Sequence, residues 1–277
     1  MKLGLATPVV VQVPGISSAW EAHAGPAEIA QVARVADELG YHHLTCAEHV
    51  AVPATQSAER GTTYWDPLAT LSFLAGHTNR IRLATSVLVA SYHQPLAVAK
   101  QYGTLDQLSS GRTVLGVGVG SLAEEFELLG ASWADRGAAT DTLLTQLRRI
   151  WGQQEVDGMV VDPHATSTRP ALWVGGRTAR SLRRAASLGD GWMPFGLRPQ
   201  QIGTLLTAIE LPPGFEVVLS PGRALDPMGA ADDTRRRLSA LRAAGATAVT
   251  CAVSATSVDH HCEQLAALRT VAESVEG

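Results

Sequence analysis

Residues 64–130 read YWDPLATLSFLAGHTNRIRLATSVLVASYHQPLAVAKQYGTLDQLSSGRTVLGVGVGSLAEEFELLG, and their pattern decides the fold. Two apolar runs, IRLATSVLV at 81–89 and RTVLGVG at 112–118, have the length and composition of buried strands. Each follows a helical pattern with clear start signals, Asp66-Pro67 before the first and Pro95 before the second. Each run then gives way to small or hydroxyl residues: Thr85-Ser86 in one, Gly116, Gly118 and Gly120 in the other. Strand, special loop, helix, strand and glycine loop in that order predict a parallel sheet with a site at its carboxyl edge.

Working outward, the same unit recurs. Strands are predicted at 2–7, 42–46, 81–86, 113–117, 171–174, 191–193, 216–219 and 248–253. Helices are predicted at 26–40, 67–77, 95–111, 133–151, 178–188, 199–209, 232–244 and 258–275, with a shorter one closed by Gly130. In the first of them Ile29, Val32, Ala33, Ala36 and Leu39 recur at helical spacing, between Pro26 and Gly40. Eight strand–helix pairs in 277 residues predict one α/β domain spanning 1–277, a (β/α)8 TIM barrel, for which about 250 residues are typical. The longest connections lie near 8–25, 50–65, 120–137 and 152–170, and these are expected to set the substrate. The polar stretch 152–170 is expected to lie over the barrel, and Trp20 and Trp65 near the substrate.

Composition narrows the classes of function. Apolar residues make up 45% of the chain and charged residues 17%, enough for a large core. The formal net charge is −4 and no basic block stands out, so no nucleic-acid partner is expected. The opening MKLGLATPVVVQV is broken by Gly4, Thr7, Pro8 and Gln12, and reads as a first strand rather than a signal peptide. No apolar run of about 18 residues predicts a membrane span. Cys46, Cys251 and Cys262 are odd in number and far apart, which suits a reducing, cytoplasmic setting without disulfides. His42-His43 and His260-His261-Cys262 are too tightly grouped to predict a metal site. Arg183-Arg184 and Arg235-Arg236-Arg237 read as solvated helix faces.

Three short stretches are candidates for chemistry. Gly175-Gly176-Arg177-Thr178 joins a strand to a helix. Its glycines let the backbone approach an oxyanion, the helix start offers free N–H groups, and Arg177 adds charge. The same residues also satisfy a plain tight turn. Glu48-His49 follows the second strand at the barrel mouth, where catalytic residues gather, and histidine titrates near neutrality. A structural role for that histidine stays open. Gly116, Gly118 and Gly120 either admit a cofactor tail or let inner layers interdigitate; no ribose-binding acid follows, so they form no Rossmann fingerprint.

A longer ordered series carries a resemblance. It comprises Arg80-Ile81-Arg82-Leu83-Ala84-Thr85-Ser86-Val87-Leu88, Gln94-Pro95, Ala99-Lys100-Gln101, Thr104-Leu105-Asp106, Ser109-Ser110-Gly111-Arg112, Gly116-Val117-Gly118-Val119-Gly120 and Glu124-Glu125-Phe126. The stretch LWVGGRTARSLRRAASLGDGWMP at 172–194 extends it. The chain thereby resembles the luciferase-like monooxygenase superfamily of flavin and deazaflavin oxidoreductases, and most closely its coenzyme F420-dependent branch.

The resemblance implies a set of roles. Gly175, Gly176 and Arg177 would hold the cofactor phosphate, with Pro194, Phe195 and Gly196 beside them. Ser86 and Val87 would form a backbone bulge, often with a cis peptide, behind the cofactor ring. Gly118 and Gly120 would flank the cofactor, and Glu124 would send a polar group toward it. Glu48 would lie near the ring's polar edge, and His49 would donate or accept a proton. Departures stand at Pro53 and Ser121, where the sugar-phosphate dehydrogenase relatives carry a tryptophan and a carboxylate. Glucose-6-phosphate is therefore not expected as substrate. The implied function is hydride transfer between F420 and a small organic substrate, by a homodimer. The alternatives are an FMNH2-dependent monooxygenase and a non-catalytic flavin-binding barrel.

Overall fold

The computed structural model describes residues 1–276. Eight parallel strands follow one another in chain order: β1 (Lys2–Ala6), β2 (His43–Cys46), β3 (Arg82–Thr85), β4 (Thr113–Gly118), β5 (Ala171–Gly175), β6 (Gly191–Met193), β7 (Glu216–Leu219) and β8 (Ala248–Cys251). β1 pairs on one side with β8, Lys2 opposite Ala248, and on the other with β2, Gly4 opposite His43. β4 pairs with β3 and with β5, Val114 opposite Ala84 and Ala171. Every strand has two neighbours, so the sheet closes on itself and leaves no open edge. A short strand, Leu88–Val89, continues beyond β3 and pairs alongside β4.

Eight helices surround the barrel: α1 (Pro26–Glu38), α2 (Pro67–Ala75), α3 (Pro95–Leu108), α4 (Arg136–Ile150), α5 (Ala179–Leu188), α6 (Pro199–Thr207), α7 (Ala231–Ala243) and α8 (Val258–Glu276). Proline opens α1, α2, α3 and α6, where its fixed φ and missing N–H cost nothing. Asp66 caps α2 by accepting a bond from the Ala69 N–H at 2.7 Å. Gly40, at φ 74°, takes the left-handed conformation that turns the chain from α1 toward β2.

Alternation along the strands separates two apolar layers. Leu83, Leu115, Leu172 and Val174 face the helices and join the main core. Ala84, Val114, Trp173, Met193, Val218 and Ala248 form a second cluster on the opposite strand face, inside the barrel. Size is matched there: the His43 ring lies over Gly4, where no side chain would fit. His43 is fully buried, bonds Thr250 Oγ1 at 2.8 Å and stands edge-on to Trp173. Burial, helped by His42 and nearby cations, holds its imidazole well below the ordinary range.

The amino ends of the strands are closed by polar groups that satisfy one another. Asp37 accepts the backbone N–H groups of Asn79, Arg80 and Ile81 at 2.9, 2.9 and 2.6 Å. Burial pushes its carboxyl up, but those three bonds and the Arg80 charge outweigh it and hold it below the usual value. Arg112 donates to the carbonyl oxygens of Ala75, Thr78, Ile81 and Ser109. Glu216 takes bonds from Lys2 at 2.6 Å and from the Trp173 indole at 2.8 Å.

Some expected boundaries move. α4 starts at Arg136 rather than at 133, because Asp135 and Ser132 bond each other in the turn before it. β8 ends at Cys251; Val253 forms only an isolated bridge with Leu225. The stretch 152–170 does not cover the barrel. It carries a hairpin, Glu155–Val156 with Met159–Val160, and then runs along α3, where Lys100, Asp106 and Gln107 bond its backbone. Among the described residues no helix is long and apolar enough to cross a membrane, and the three cysteines are free.

Candidate functional site

A cleft of about 760 Å3 opens at the carboxyl ends of the strands. Ala47, Glu48 and His49 enter it after β2, and Ser86 and Val87 after β3. Gly118, Val119, Gly120 and Ser121 enter from β4 and its loop, and Gly175, Gly176, Arg177 and Thr178 from β5 and the start of α5. The far wall comes from residues 133–138 at the start of α4 and from Phe195 after β6.

The floor is built around one side chain. The Ser86–Val87 peptide is cis, and Val87 lies against Gly118 and Gly175. A methyl group at either glycine would overlap Val87, at 2.9 Å in the case of Gly175. Three adjacent strands thus meet at Val87 because two of them carry no Cβ there. Gly120, at φ 81°, is likewise pressed against Phe126 and Val89.

One end of the cleft is cationic. Thr178 caps α5 by accepting from the Ser181 N–H at 3.2 Å, and Ser181 Oγ accepts from the Thr178 N–H at 3.1 Å. Gly176, at φ 130°, places its backbone where a Cβ would strike Ser181. Arg136, Arg177 and Arg180 line this end, and none of them has a carboxylate partner among the described residues. Arg177 lies over the Phe195 ring at 5.7 Å, and Arg136 over Trp133 at 3.8 Å. Arg184 differs from its expected solvated role. It is buried and tied to Asp141 of α4 and to the Gly137 carbonyl, so its charge is already matched.

The other end is a network of carboxylates, histidines and a tyrosine. Glu48 is 7% exposed; its oxygens accept from the Val89 N–H at 2.6 Å and face His93 Nε2 at 2.8 Å. His49 Nδ1 lies 2.8 Å from Glu125 Oε2, and its ring stands edge-on to Tyr64 at 4.7 Å. Glu125 also accepts from the N–H groups of Val50 and Ala51 and from the Tyr92 hydroxyl. Burial pushes the Glu125 carboxyl up, but the bonds from His49, Val50 and Ala51 outweigh it and hold it below the usual range. Burial, with the Glu125 charge beside it, raises the Tyr92 phenol.

Of the residues singled out in the sequence, Glu48, His49, Ser86, Val87, Gly118, Gly120, Gly175, Gly176, Arg177 and Phe195 meet in one cleft. Pro194 and Gly196 flank Phe195 without forming the wall, and Glu124 is outside it. The Glu124 carboxylate accepts from Gln56 on the surface instead, because Glu125 occupies the inward phase of its short helix. Trp20 and Trp65 pack against the core rather than in the cleft; the tryptophan in the wall is Trp133. Of the long connections, 8–25 and 152–170 contribute nothing to the lining. Among the described residues no cluster of three or more His, Cys, Asp or Glu could hold a metal ion.

Residues 1–210 match the family model of the luciferase-like monooxygenases. The chain belongs to that family. Among curated relatives, an uncharacterised protein of Mycobacterium tuberculosis is 30% identical over 190 residues, covering 59% of this chain and 66% of the relative. The 4-hydroxyprotoasukamycin monooxygenase of Streptomyces nodosus subsp. asukaensis is 32% identical over 201 residues, covering 72% of this chain. The matched stretch spans half the length of that enzyme. The solved structures agree on the fold. Monooxygenase RslO1 from Streptomyces bottropensis superposes over the whole of both chains with a TM-score of 0.76 at 21% identity. An F420-dependent secondary alcohol dehydrogenase bearing an F420–acetone adduct gives 0.72 over 98% of both chains, at 14% identity. The oxygenating constituent of 3,6-diketocamphane monooxygenase from Pseudomonas putida, with FMN, gives 0.70 over 99% of this chain and 98% of that one, also at 14%.

Proposed function

We propose that this luciferase-like protein is an F420-dependent oxidoreductase that moves a hydride between the deazaflavin coenzyme and a small organic substrate. The observation that carries this reading is the division of one cleft into two ends. Cations without carboxylate partners among the described residues gather at one, and a histidine held by a buried carboxylate stands at the other.

The donor set suits a phosphate-bearing cofactor. Arg177 and Arg180 offer charge-assisted bonds, and the Gly176 backbone and the start of α5 offer a close, positive approach. Val87 on its glycine floor would support one face of a planar ring. When bound, the deazaflavin supplies the two-electron chemistry, and the protein supplies orientation and proton handling. His49 Nε2, which bonds nothing among the described residues, takes the proton released from a substrate oxygen, or returns it in the reverse direction. Glu48 places a carboxyl group in the cleft wall, fixed by the Val89 N–H and His93. A cytoplasmic homodimer belongs to the same reading.

Parallel titrations of the purified protein with F420 and FMN, each oxidised and reduced, test the assignment by fluorescence or calorimetry. The expected result is F420 binding with a Kd of about 1 μM or tighter and FMN binding much weaker. Preference for reduced FMN would move the protein to the monooxygenases of its family. Binding of neither would leave a barrel whose cationic turn has another use.

A further inference from the structure

The short helix Ala123–Leu128, directly after β4, turns one face inward. Glu125 and Phe126 are 2% and 0% exposed, and Leu122, the residue that caps the helix, is 1% exposed beside them. A carboxylate between two apolar side chains is costly unless its lone pairs are filled. Here all are used. Oε1 accepts the Val50 and Ala51 N–H groups at 2.5 and 3.2 Å, and Oε2 faces His49 Nδ1 and the Tyr92 hydroxyl at 2.8 and 3.0 Å.

An ionised carboxylate only accepts, so the shared proton sits on His49 Nδ1. In the neutral ring Nε2 then keeps its lone pair, and it is the ring nitrogen left for the cleft. The Tyr64 ring, edge-on to His49, limits rotation out of this pose.

We propose that Glu125 is a positioning residue that fixes the His49 proton on Nδ1 and so presents Nε2 to the cleft as a proton acceptor. Its relevance to turnover rests on the reading of His49 as the proton-handling group; the tautomer itself does not. The isosteric substitution Glu125→Gln makes the sharpest case. A glutamine has one acceptor oxygen. The Val50 and Ala51 N–H groups can only donate, so the amide oxygen takes their side and the NH2 group faces His49. Nδ1 must then accept, and the proton moves to Nε2. The cleft would meet an N–H donor where the wild type offers a base, with the side-chain volume unchanged. Tyr92→Phe removes one donor to Glu125 and leaves the tautomer as it was.

The test is long-range 1H–15N correlation of the histidine rings in cofactor-free protein at about pH 8, above the ordinary imidazole range. The His49 signals are identified by their loss in His49→Asn. The wild type and Tyr92→Phe are expected to show the Nδ1–H tautomer, and Glu125→Gln the Nε2–H tautomer. An Nε2–H wild type overturns the proposal, and this arm decides it even if Glu125→Gln fails to fold. Retention of Nδ1–H in a folded Glu125→Gln overturns it as well. With cofactor and substrate present, Glu125→Gln is expected to lower kcat about 100-fold with little change in KM. Turnover retained in His49→Asn would instead remove the proton-handling role of His49, and the tautomer arms would decide Glu125 separately.

Discussion

The two ends of the barrel use the same kinds of residue in opposite ways. At the amino end, Asp37, Arg112 and Glu216 are consumed by neighbouring donors and acceptors of the same chain. At the carboxyl end, Arg136, Arg177 and Arg180 face the cleft without carboxylate partners among the described residues, and His49 has one ring nitrogen to spare there. Polar groups that are satisfied internally hold strands in register. Groups left with bonding capacity are those that a ligand can use. Arg184 marks the boundary between the two: it borders the cleft, but Asp141 takes its charge.

That contrast is open to test, and the largest effect is expected at the amino end. Asp37→Ala strands three backbone N–H groups and should lower stability by about 3 kcal/mol, read from the urea midpoint. The folded fraction should bind ligand as before. The Asp37 carboxyl is held below its ordinary value, so its contribution is complete above about pH 4 and is lost as pH falls through the lower folded value. Asp37→Asn should flatten that acid limb of the stability–pH curve; an unchanged limb would count against the role given to the carboxylate.

The opposite pattern is expected at the carboxyl end. Arg177→Ala combined with Arg180→Ala should weaken cofactor binding at least about 100-fold by calorimetry, at about 1.5 kcal/mol or more per charged bond. Stability should stay within about 0.5 kcal/mol. A matching loss of stability would show that these cations are structural after all, and the contrast would fail.

A smaller effect is expected at the floor. Gly118→Ala should cost about 1–2 kcal/mol through overlap with Val87, and Val87→Ala in the same chain should restore most of it. Additive costs would show that the two positions do not compete for space. Smallest of all, Trp133→Ala at the partly exposed wall should change stability by less than about 1 kcal/mol while altering substrate KM.

The sequence revealed the barrel because parallel strands buried on both faces read as apolar runs, and because prolines and glycines punctuate the helices between them. It brought most of the cleft into view because small residues at strand ends are visible one strand at a time. What it hid depended on pairings between distant segments. Glu48 meets His93, and His49 meets Glu125 and, through it, Tyr92; these partners lie 33 to 76 residues apart. Glu124 and Glu125 are neighbours, and a six-residue helix gives little phase information. The apolar pair Leu122 and Phe126 was the available signal, since its spacing selects Glu125 for the inward face. The hairpin at 155–160 was missed because its strands are two residues each and polar in setting.

Val87 gives the molecule a division of mobility. It is wedged where β3, β4 and β5 meet, so the cleft floor has little freedom to lose when a ligand arrives. The wall at 133–138 belongs to no strand, and its exposed aromatic and arginine stack on each other at the surface rather than between strands. The ordering entropy of binding therefore falls on the wall, and changes of affinity between ligands should be felt there as changes in motion, over a base that stays still.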